Sequence, residues 1–195
     1  RARVPTHEDL AIKGKGTARV IGIVPHQILT EHLAFDLEGA EVPDLDRDIL
    51  KVVVCNRYRE GRCGLGLVHG FGLRKGAVAG SIAHDAHNLV AVGADDQAIR
   101  EALGGIIRNG GGMAVAGPDS LELLPLDCGG LMSSLPAEEV AGLLKTLNGK
   151  AVDLGAIPGA FMYLSFLSLT VIPHLRVTDR GMFDADVFRD VPLFR

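Results

Sequence analysis

The 195-residue sequence has no tryptophan and only two tyrosines, and it lacks a basic stripe. Its 20 lysines and arginines are outnumbered by 24 aspartates and glutamates, so the net charge is −4. Proteins that bind nucleic acids carry clustered cationic residues and aromatic side chains on which bases stack. The composition therefore argues against a nucleic-acid partner.

Cysteine is also scarce in this sequence. The three cysteines, Cys55, Cys63 and Cys128, are odd in number and include no Cys-x-x-Cys pair. Disulfide frameworks and zinc sites use even or closely spaced sets of cysteines. The pattern predicts free thiols in a reducing compartment, and hence a cytoplasmic protein.

No hydrophobic run is long enough to cross a membrane. The most apolar window, residues 160–172, is interrupted by serine and threonine and stops at Pro173. A membrane-spanning helix needs about 20 apolar residues. The sequence starts at Arg1 rather than at methionine, and its mean hydropathy of +0.24 is high. We therefore expect no membrane partner, and a chain that is processed, trimmed or cut from a longer one.

Hydrophobic periodicity and turn residues predict the strands and the first helix. The helix runs from Asp95 to Asn109, because an aspartate caps its start and Asn109-Gly110 ends it. The predicted strands cover residues 18–24, 28–35, 50–55, 76–83, 89–92, 113–116 and 121–124. The charged segment between residues 56 and 63 is predicted to be a solvated loop.

The C-terminal third contains a second predicted helix, which starts near Pro136 and ends at Asn148-Gly149. Residues 161–169 suit either a helix or a strand, and residues 177–195 are predicted to be a polar tail. Together these elements predict an α/β or α+β fold. We expect a two-layer mixed β-sheet with two or three helices, plus a small N-terminal β appendage.

Five residues, four of them polar, separate two apolar runs in the glycine-rich stretch 64–93: His84, Asp85, Ala86, His87 and Asn88. Leaving such groups buried without partners costs roughly 2–7 kcal/mol each. If the segment is extended, His84 and His87 lie on opposite faces. If it turns, both imidazoles reach one side, where they can share a metal or a substrate atom, and Asp85 can accept from an imidazole N–H.

The residues of this motif leave two interpretations open. In the first, the histidines carry protons or bind a metal, and Asn88 binds the amide-like edge of a ligand. In the second, a polar network pins the end of a strand. Two histidines do not complete a tetrahedral metal site, and His69 and Asp127 are the nearest candidates for a third ligand. The surrounding glycines match no phosphate-binding pattern and are expected to allow close backbone approach.

Several segments carry a resemblance to a known family: residues 50–54, 69–73, 83–88, the helix 95–109 with the glycines after it, 130–133, 164–167, 171–173 and 178–181. In this order, from about residue 17 to the end, the sequence resembles the C-terminal region of bacterial and archaeal adenine deaminases, in the amidohydrolase superfamily. The family usually has serine at the position of Ala86 and lysine at that of His69.

The resemblance implies an enzyme of purine metabolism that converts adenine and water to hypoxanthine and ammonia, using a hydroxide activated by a metal ion. That ion, Mn²⁺ or alternatively Fe²⁺ or Zn²⁺, is held by a β/α barrel that begins with a His-x-His pair, which this sequence lacks. Residues 1–48 would then be a linker and strands of a companion β domain, and residues 49–195 the C-terminal α/β domain. We expect a homo-oligomer that is inactive without the barrel.

Within this family, our hypothesis assigns catalytic roles to His84, Asp85 and His87 and a substrate-binding role to Asn88. His84 and His87 are also candidate metal ligands. Two alternatives remain. The chain can be a structural or oligomerisation domain with no direct catalytic role, or a stand-alone protein that binds a metal through its two histidines.

Overall fold

The computed structural model of this chain describes residues 2–38, 42–59 and 61–195, so Arg1 lies outside the described residues. Within them are eleven strands and three helices. In chain order these are β1 (Thr17–Ile23), β2 (Thr30–Asp36), β3 (Ile49–Cys55), β4 (Cys63–His69), β5 (Ala77–Gly80), β6 (Leu89–Gly93), α1 (Asp96–Arg108), β7 (Gly112–Ala116), β8 (Leu121–Pro125), α2 (Ala137–Asp153), α3 (Ala160–Phe166), β9 (Leu175–Thr178), β10 (Gly181–Asp184) and β11 (Arg189–Asp190).

Eight strands form one mixed sheet in the order β2-β1-β4-β3-β6-β5-β7-β8. Neighbouring strands are antiparallel except for β1 and β4, which run parallel. Every residue of β3 is buried, as expected of a β-branched apolar run near the centre of a sheet that is covered on both faces. The remaining strands form a second sheet in the order β11-β10-β9.

Both faces of the large sheet are covered. On one face α1 packs its apolar stripe, including Ile99 and Leu103, against β3, β5, β6 and β7. On the other face α2, α3 and the second sheet contribute Leu147, Leu164 and Val177 to a larger core. The turns at the ends of the strands therefore project from a sheet that is supported from both sides.

The predicted α+β class and mixed sheet are confirmed. Asp95 caps α1 by accepting a hydrogen bond from the Ala98 N–H at 2.7 Å, and the helix ends at Asn109 as predicted. Residues 161–169, which suited a helix or a strand, supply all but the first residue of helix α3. β1 and β2, which match the strands predicted over residues 18–24 and 28–35, form an antiparallel pair, and β1 joins the main sheet through two register pairs with β4.

Two predictions for the C-terminal third are wrong. α2 continues to Asp153, past the expected stop at Asn148-Gly149, and its additional turn buries Ala151 in the larger core, where Leu154 follows it. The supposed polar tail contains most of the second sheet, whose strands are too short to show a period. None of the helices in the described ranges combines the length and apolarity needed to cross a membrane.

Strand β4 was not predicted, because its glycines are unfavourable in strands. The second sheet explains why they are there. A methyl group at Gly64 would overlap the Thr178 carbonyl oxygen, and one at Gly66 would lie 2.7 Å from the Met182 sulfur. The expectation of close backbone approach in this stretch is confirmed at Gly64, and it is what allows the two sheets to pack together.

The prediction of three free thiols is wrong for two of them. Cys55 and Cys63 form a disulfide, and Cys128 is free and exposed. The two bonded cysteines are register partners at the ends of antiparallel strands β3 and β4, with their Cα atoms 4.1 Å apart. The number and spacing of the cysteines could not predict this disulfide, because it depends on the register of a strand that the sequence did not indicate.

The N-terminal segment is held together by hydrogen bonds to the half-buried carboxylate of Asp9. Its carboxylate accepts hydrogen bonds from the Arg3 guanidinium at 2.7 and 3.1 Å and from the N–H and hydroxyl of Thr6, each at 2.7 Å. The bond from Arg3, followed by those from Thr6, holds the pKa of Asp9 well below its usual range. Arg100 then ties the segment to α1 by donating to the Pro5 carbonyl at 2.9 Å.

This hydrogen-bond network should make stability sensitive to acid. Because the pKa of Asp9 is depressed in the folded state, the carboxylate stabilises the fold above about pH 4 and loses this effect as the pH falls further. We expect Asp9→Asn to flatten the dependence of stability on pH between about pH 4 and 2, as followed by urea unfolding with circular dichroism. Asp119→Asn, which removes an exposed carboxylate outside this network, should leave the native slope.

Candidate functional site

The motif from His84 to Asn88 forms a turn between β5 and β6, which settles the choice between an extended and a turned segment. The imidazoles of His84 and His87 lie edge to face, with ring centroids 5.7 Å apart. The turn therefore brings both histidines together, as the second of the two sequence-based geometries requires. We call residues 84–88 the His84 turn.

His84 is positioned by the end of α3. Its N–H donates to the Ser165 carbonyl at 2.9 Å, its carbonyl accepts from the Ser168 hydroxyl at 3.2 Å, and its ring lies 4.9 Å from that of Phe166. The side chain is half-buried. Neither imidazole nitrogen of His84 hydrogen bonds to any residue of the described ranges, so both are available to a ligand or a second protein surface.

His87 forms hydrogen bonds to the residue just before the His84 turn through both its backbone and its ring. Its N–H donates to the Ala83 carbonyl at 2.7 Å, and its Nδ1 accepts from the Ala83 N–H at 3.4 Å. Its φ of 49° lies in the left-handed region, which is uncommon for histidine and is held here by these contacts. Because Nδ1 is occupied, Nε2 is the nitrogen that remains for proton transfer or for a ligand.

Asp85 and Asn88 differ in what surrounds them. Asp85 is exposed, and its carboxylate makes no hydrogen bond to either imidazole among the described residues. Asn88 is only 7% exposed, and its Oδ1 accepts from the Arg57 N–H at 3.1 Å. The expected support of an imidazole by Asp85 is thus absent from this structure, whereas Asn88 links the His84 turn to the loop after β3.

An open cleft of about 500 Å³ adjoins the turn. Asp85, Ala86 and Asn88 border it on one side, and the loop after β3, the segment after α3 and the second sheet border the rest. Its volume lies in the range of small-molecule sites, which run from about 300 to 1,000 Å³. The cleft can accept a molecule of purine size, with Asp85 and Asn88 as hydrogen-bonding groups.

The charges of this cleft largely neutralise one another. Arg62 pairs with Asp179 at 3.3 Å, and Arg180 pairs with Asp190 at 2.9 Å. Arg59 is the further cation among the lining residues, and Asp85 the further anion. A cleft with balanced charge suits a neutral polar ligand better than a phosphate or another multiply charged anion.

A third metal ligand is not found where the sequence suggested. Ile49 pairs with His69 at one end of β3, whereas Cys55 pairs with Leu89 at the other, so His69 lies at the opposite end of the sheet from the His84 turn. Asp127 lies beyond β8, and the hydroxyl and N–H of Ser134 bond its carboxylate and hold its pKa below the usual range. Within the described residues, no three His, Cys, Asp or Glu side chains cluster to hold a metal.

The sequence analysis missed several residues that build this site. Arg57 was assigned to a solvated loop, but its N–H binds Asn88 and its guanidinium donates to the Gly129 carbonyl. Ser165 and Phe166 hold His84, and they fall in one of the segments that carried the family resemblance. That segment was the available signal, although a resemblance alone does not reveal which side chains meet.

Asn88 provides a test of the structural contribution of the turn. Replacing a buried side chain that accepts a backbone hydrogen bond leaves the donor unsatisfied and costs about 1–2 kcal/mol. We therefore expect Asn88→Ala to lower the free energy of unfolding by that amount in a urea titration. Asn88→Asp, with both variants compared at an acidic pH that keeps the buried carboxyl protonated, retains a neutral oxygen acceptor for the Arg57 N–H and should recover most of the loss. Equal losses in the two variants would rule out this hydrogen bond as the cause.

Comparisons with known proteins point to one family. A family profile described as adenine deaminase C-terminal domain matches residues 27–189. Adenine deaminase of Methanoregula boonei is 57% identical over 194 residues, an alignment that covers 100% of this chain to the nearest per cent and 35% of that protein. The relatives from Methanoculleus marisnigri and Desulfatibacillum aliphaticivorans are 57% and 44% identical over 99% and 95% of this chain, and over 37% and 34% of their own lengths. The chain thus spans about a third of these relatives.

Proposed function

Because this chain belongs to the adenine deaminase C-terminal domain family, we propose that it is the C-terminal portion of an enzyme that hydrolyses adenine to hypoxanthine and ammonia in purine metabolism. The curated relatives that it matches carry that enzyme's name, and the match covers about a third of their length. The remainder of the parent polypeptide, which we take to be an amidohydrolase β/α barrel, is its partner.

The His84 turn is the part of this domain that we assign to the reaction. The observation that carries the assignment is a half-buried imidazole with two unengaged nitrogens, His84, in a turn whose next residue, Asp85, borders a purine-sized cleft with balanced charge. Imidazole changes protonation near neutral pH and is the commonest general acid or base. In this proposal His84 and His87 move protons, while Asp85 and Asn88 hydrogen bond the purine.

A divalent metal belongs to the proposal, but the residues of the turn do not fit it alone. His84 and His87 supply two imidazoles, and no third ligand joins them within the described ranges. We propose that the ion of the parent enzyme, manganese or alternatively iron or zinc, is held outside this domain. If His84 and His87 are additional metal ligands, replacing both should lower the metal content of the parent polypeptide.

Further parts of the proposal concern assembly and location. We infer that residues 1–48 include strands of a companion β domain, since β1 meets β4 through only two register pairs. We also propose a homo-oligomeric, cytoplasmic enzyme. The disulfide between Cys55 and Cys63 gives that location no support, because disulfides are rare in reducing compartments.

A structural or oligomerisation role is the second candidate. It is favoured by the internal bonds of the turn, in which His87 binds Ala83 and Asn88 binds the backbone of Arg57. Under this alternative the turn pins the end of β6, and the purine contacts other parts of the parent polypeptide.

Ammonia release from adenine tests the proposed function. The parent polypeptide, with manganese added, should release ammonia and form equal amounts of hypoxanthine. The 195-residue chain by itself should release none under the same conditions. A parent polypeptide that leaves adenine unchanged would contradict the proposal, and release by the chain alone would contradict its dependence on a barrel.

A further inference from the structure

Three apolar side chains form an exposed patch beside the His84 turn. Ile28 and Leu29, between β1 and β2, are 45% and 43% exposed, and Met162 in α3 is 61% exposed. They surround a crevice of about 20 Å³ that Tyr163 and Phe166 also line. This volume holds a group about the size of one water or methyl. We call Ile28, Leu29 and Met162 the α3 patch.

The backbone beneath the α3 patch is held firmly in place. The Ile28 carbonyl accepts from the buried Arg176 guanidinium at 2.9 Å, and the Tyr163 hydroxyl accepts from the His26 N–H at 2.8 Å. Thr30 donates through its N–H to the Pro173 carbonyl at 3.2 Å. A surface whose shape is fixed before contact loses little conformational entropy on binding, which favours association.

The α3 patch adjoins the proposed site. Phe166 lines the crevice between Ile28 and Met162, and the ring of Phe166 lies 4.9 Å from that of His84. A protein surface that covered the patch would therefore also lie next to the unengaged imidazole of His84. This is the arrangement needed if the turn and a second domain act on one substrate.

We propose that the α3 patch is the surface on which the remainder of the parent polypeptide packs. We identify the partner as the rest of the parent polypeptide because about two thirds of each matched relative lies outside the matched region. The contacting surface is apolar and inserts a methyl-sized group into the crevice. This inference rests on the proposed function, since it takes the partner to be the rest of an adenine deaminase.

Thiol labelling in the parent polypeptide measures whether the patch is covered. Met162→Cys and Val152→Cys place a thiol on two helices, α3 and α2, at residues that are 61% and 46% exposed in this domain. Both variants also carry Cys128→Ser, which removes the exposed native thiol. Maleimide labelling is followed at each cysteine by peptide mass spectrometry. We expect labelling at least tenfold slower at position 162 than at position 152, and equal rates after denaturation.

Each outcome of this measurement decides the proposal. Slow labelling at position 162 that persists in the monomeric parent polypeptide supports it. Similar rates at the two positions overturn it, and so does protection that disappears on dilution from oligomer to monomer, which would assign the patch to a second copy. Adenine turnover is measured on the same samples. Turnover with an unprotected position 162 refutes only the docking surface, whereas absent turnover in the native parent refutes the proposed function.

Discussion

Replacement of His84 by alanine in the parent polypeptide is expected to lower kcat for adenine at least about 100-fold, the smallest effect usual for loss of a general acid or base. The backbone of His84 is held by the Ser165 carbonyl and the Ser168 hydroxyl, so the turn keeps its shape when the imidazole is removed. Loss of the ring contact with Phe166 should change the melting temperature by only a few degrees. Steady-state kinetics and thermal unfolding of the same preparation measure both quantities.

His69→Ala is the matched control for this experiment. It removes another imidazole, which contacts the Phe35 ring and the Arg47 carbonyl at the opposite end of the sheet. It should cost stability without changing kcat. If His84→Ala instead lowers the melting temperature while the folded enzyme turns over adenine at the native rate, the structural alternative is correct and the catalytic assignment is wrong.

Arg176→Met is expected to destabilise the protein by about 3–5 kcal/mol, because it removes four hydrogen bonds made by one buried charged group. Arg176 is fully buried, and burial lowers its pKa to about 10, so its guanidinium stays charged at neutral pH. It donates at 2.7–3.0 Å to four carbonyl oxygens, those of Ile28, Phe166, Ile172 and Pro173. Methionine fills a similar volume but satisfies none of these oxygens.

Urea unfolding should show the Arg176→Met effect as a lower midpoint with an unchanged slope. Arg180→Met is the control, because Arg180 and its partner Asp190 are 52% and 44% exposed. An exposed pair of this kind contributes less than about 1 kcal/mol. If the free energy of unfolding falls by similar amounts in the two variants, the buried guanidinium does not organise this region. A selective loss would also explain how the α3 patch keeps its shape, since Arg176 holds the Ile28 carbonyl.

Local sequence signals predicted the elements whose stabilising contacts are themselves local. The ends of α1 follow from Asp95 and Asn109, because a helix cap is made by residues next to the helix. The apolar β-branched run of β3 likewise predicts a buried central strand. The family resemblance, which the match over residues 27–189 confirms, came from short segments of the same kind.

Distant contacts determined the elements that were missed. Gly64 and Gly66 in β4 are residue types typical of loops. In the structure the second sheet packs directly against them. The disulfide of Cys55 required the register of that same strand. α2 continues past its expected stop, and the residues beyond that stop, Ala151 and Leu154, are buried in the core that the helix forms with the large sheet.

The sequence by itself determined the α+β class, most of the strands and helices, the family and the polar motif from His84 to Asn88. Only the tertiary structure decided that the motif turns, because the carbonyl of Ser165 and the ring of Phe166 hold His84 from a helix some 80 residues away. The tertiary structure also separated His69 from the motif, since strand pairing places it at the other end of the sheet. The sequence specifies the type of each side chain, whereas the packing of the whole chain determines which side chains lie close together.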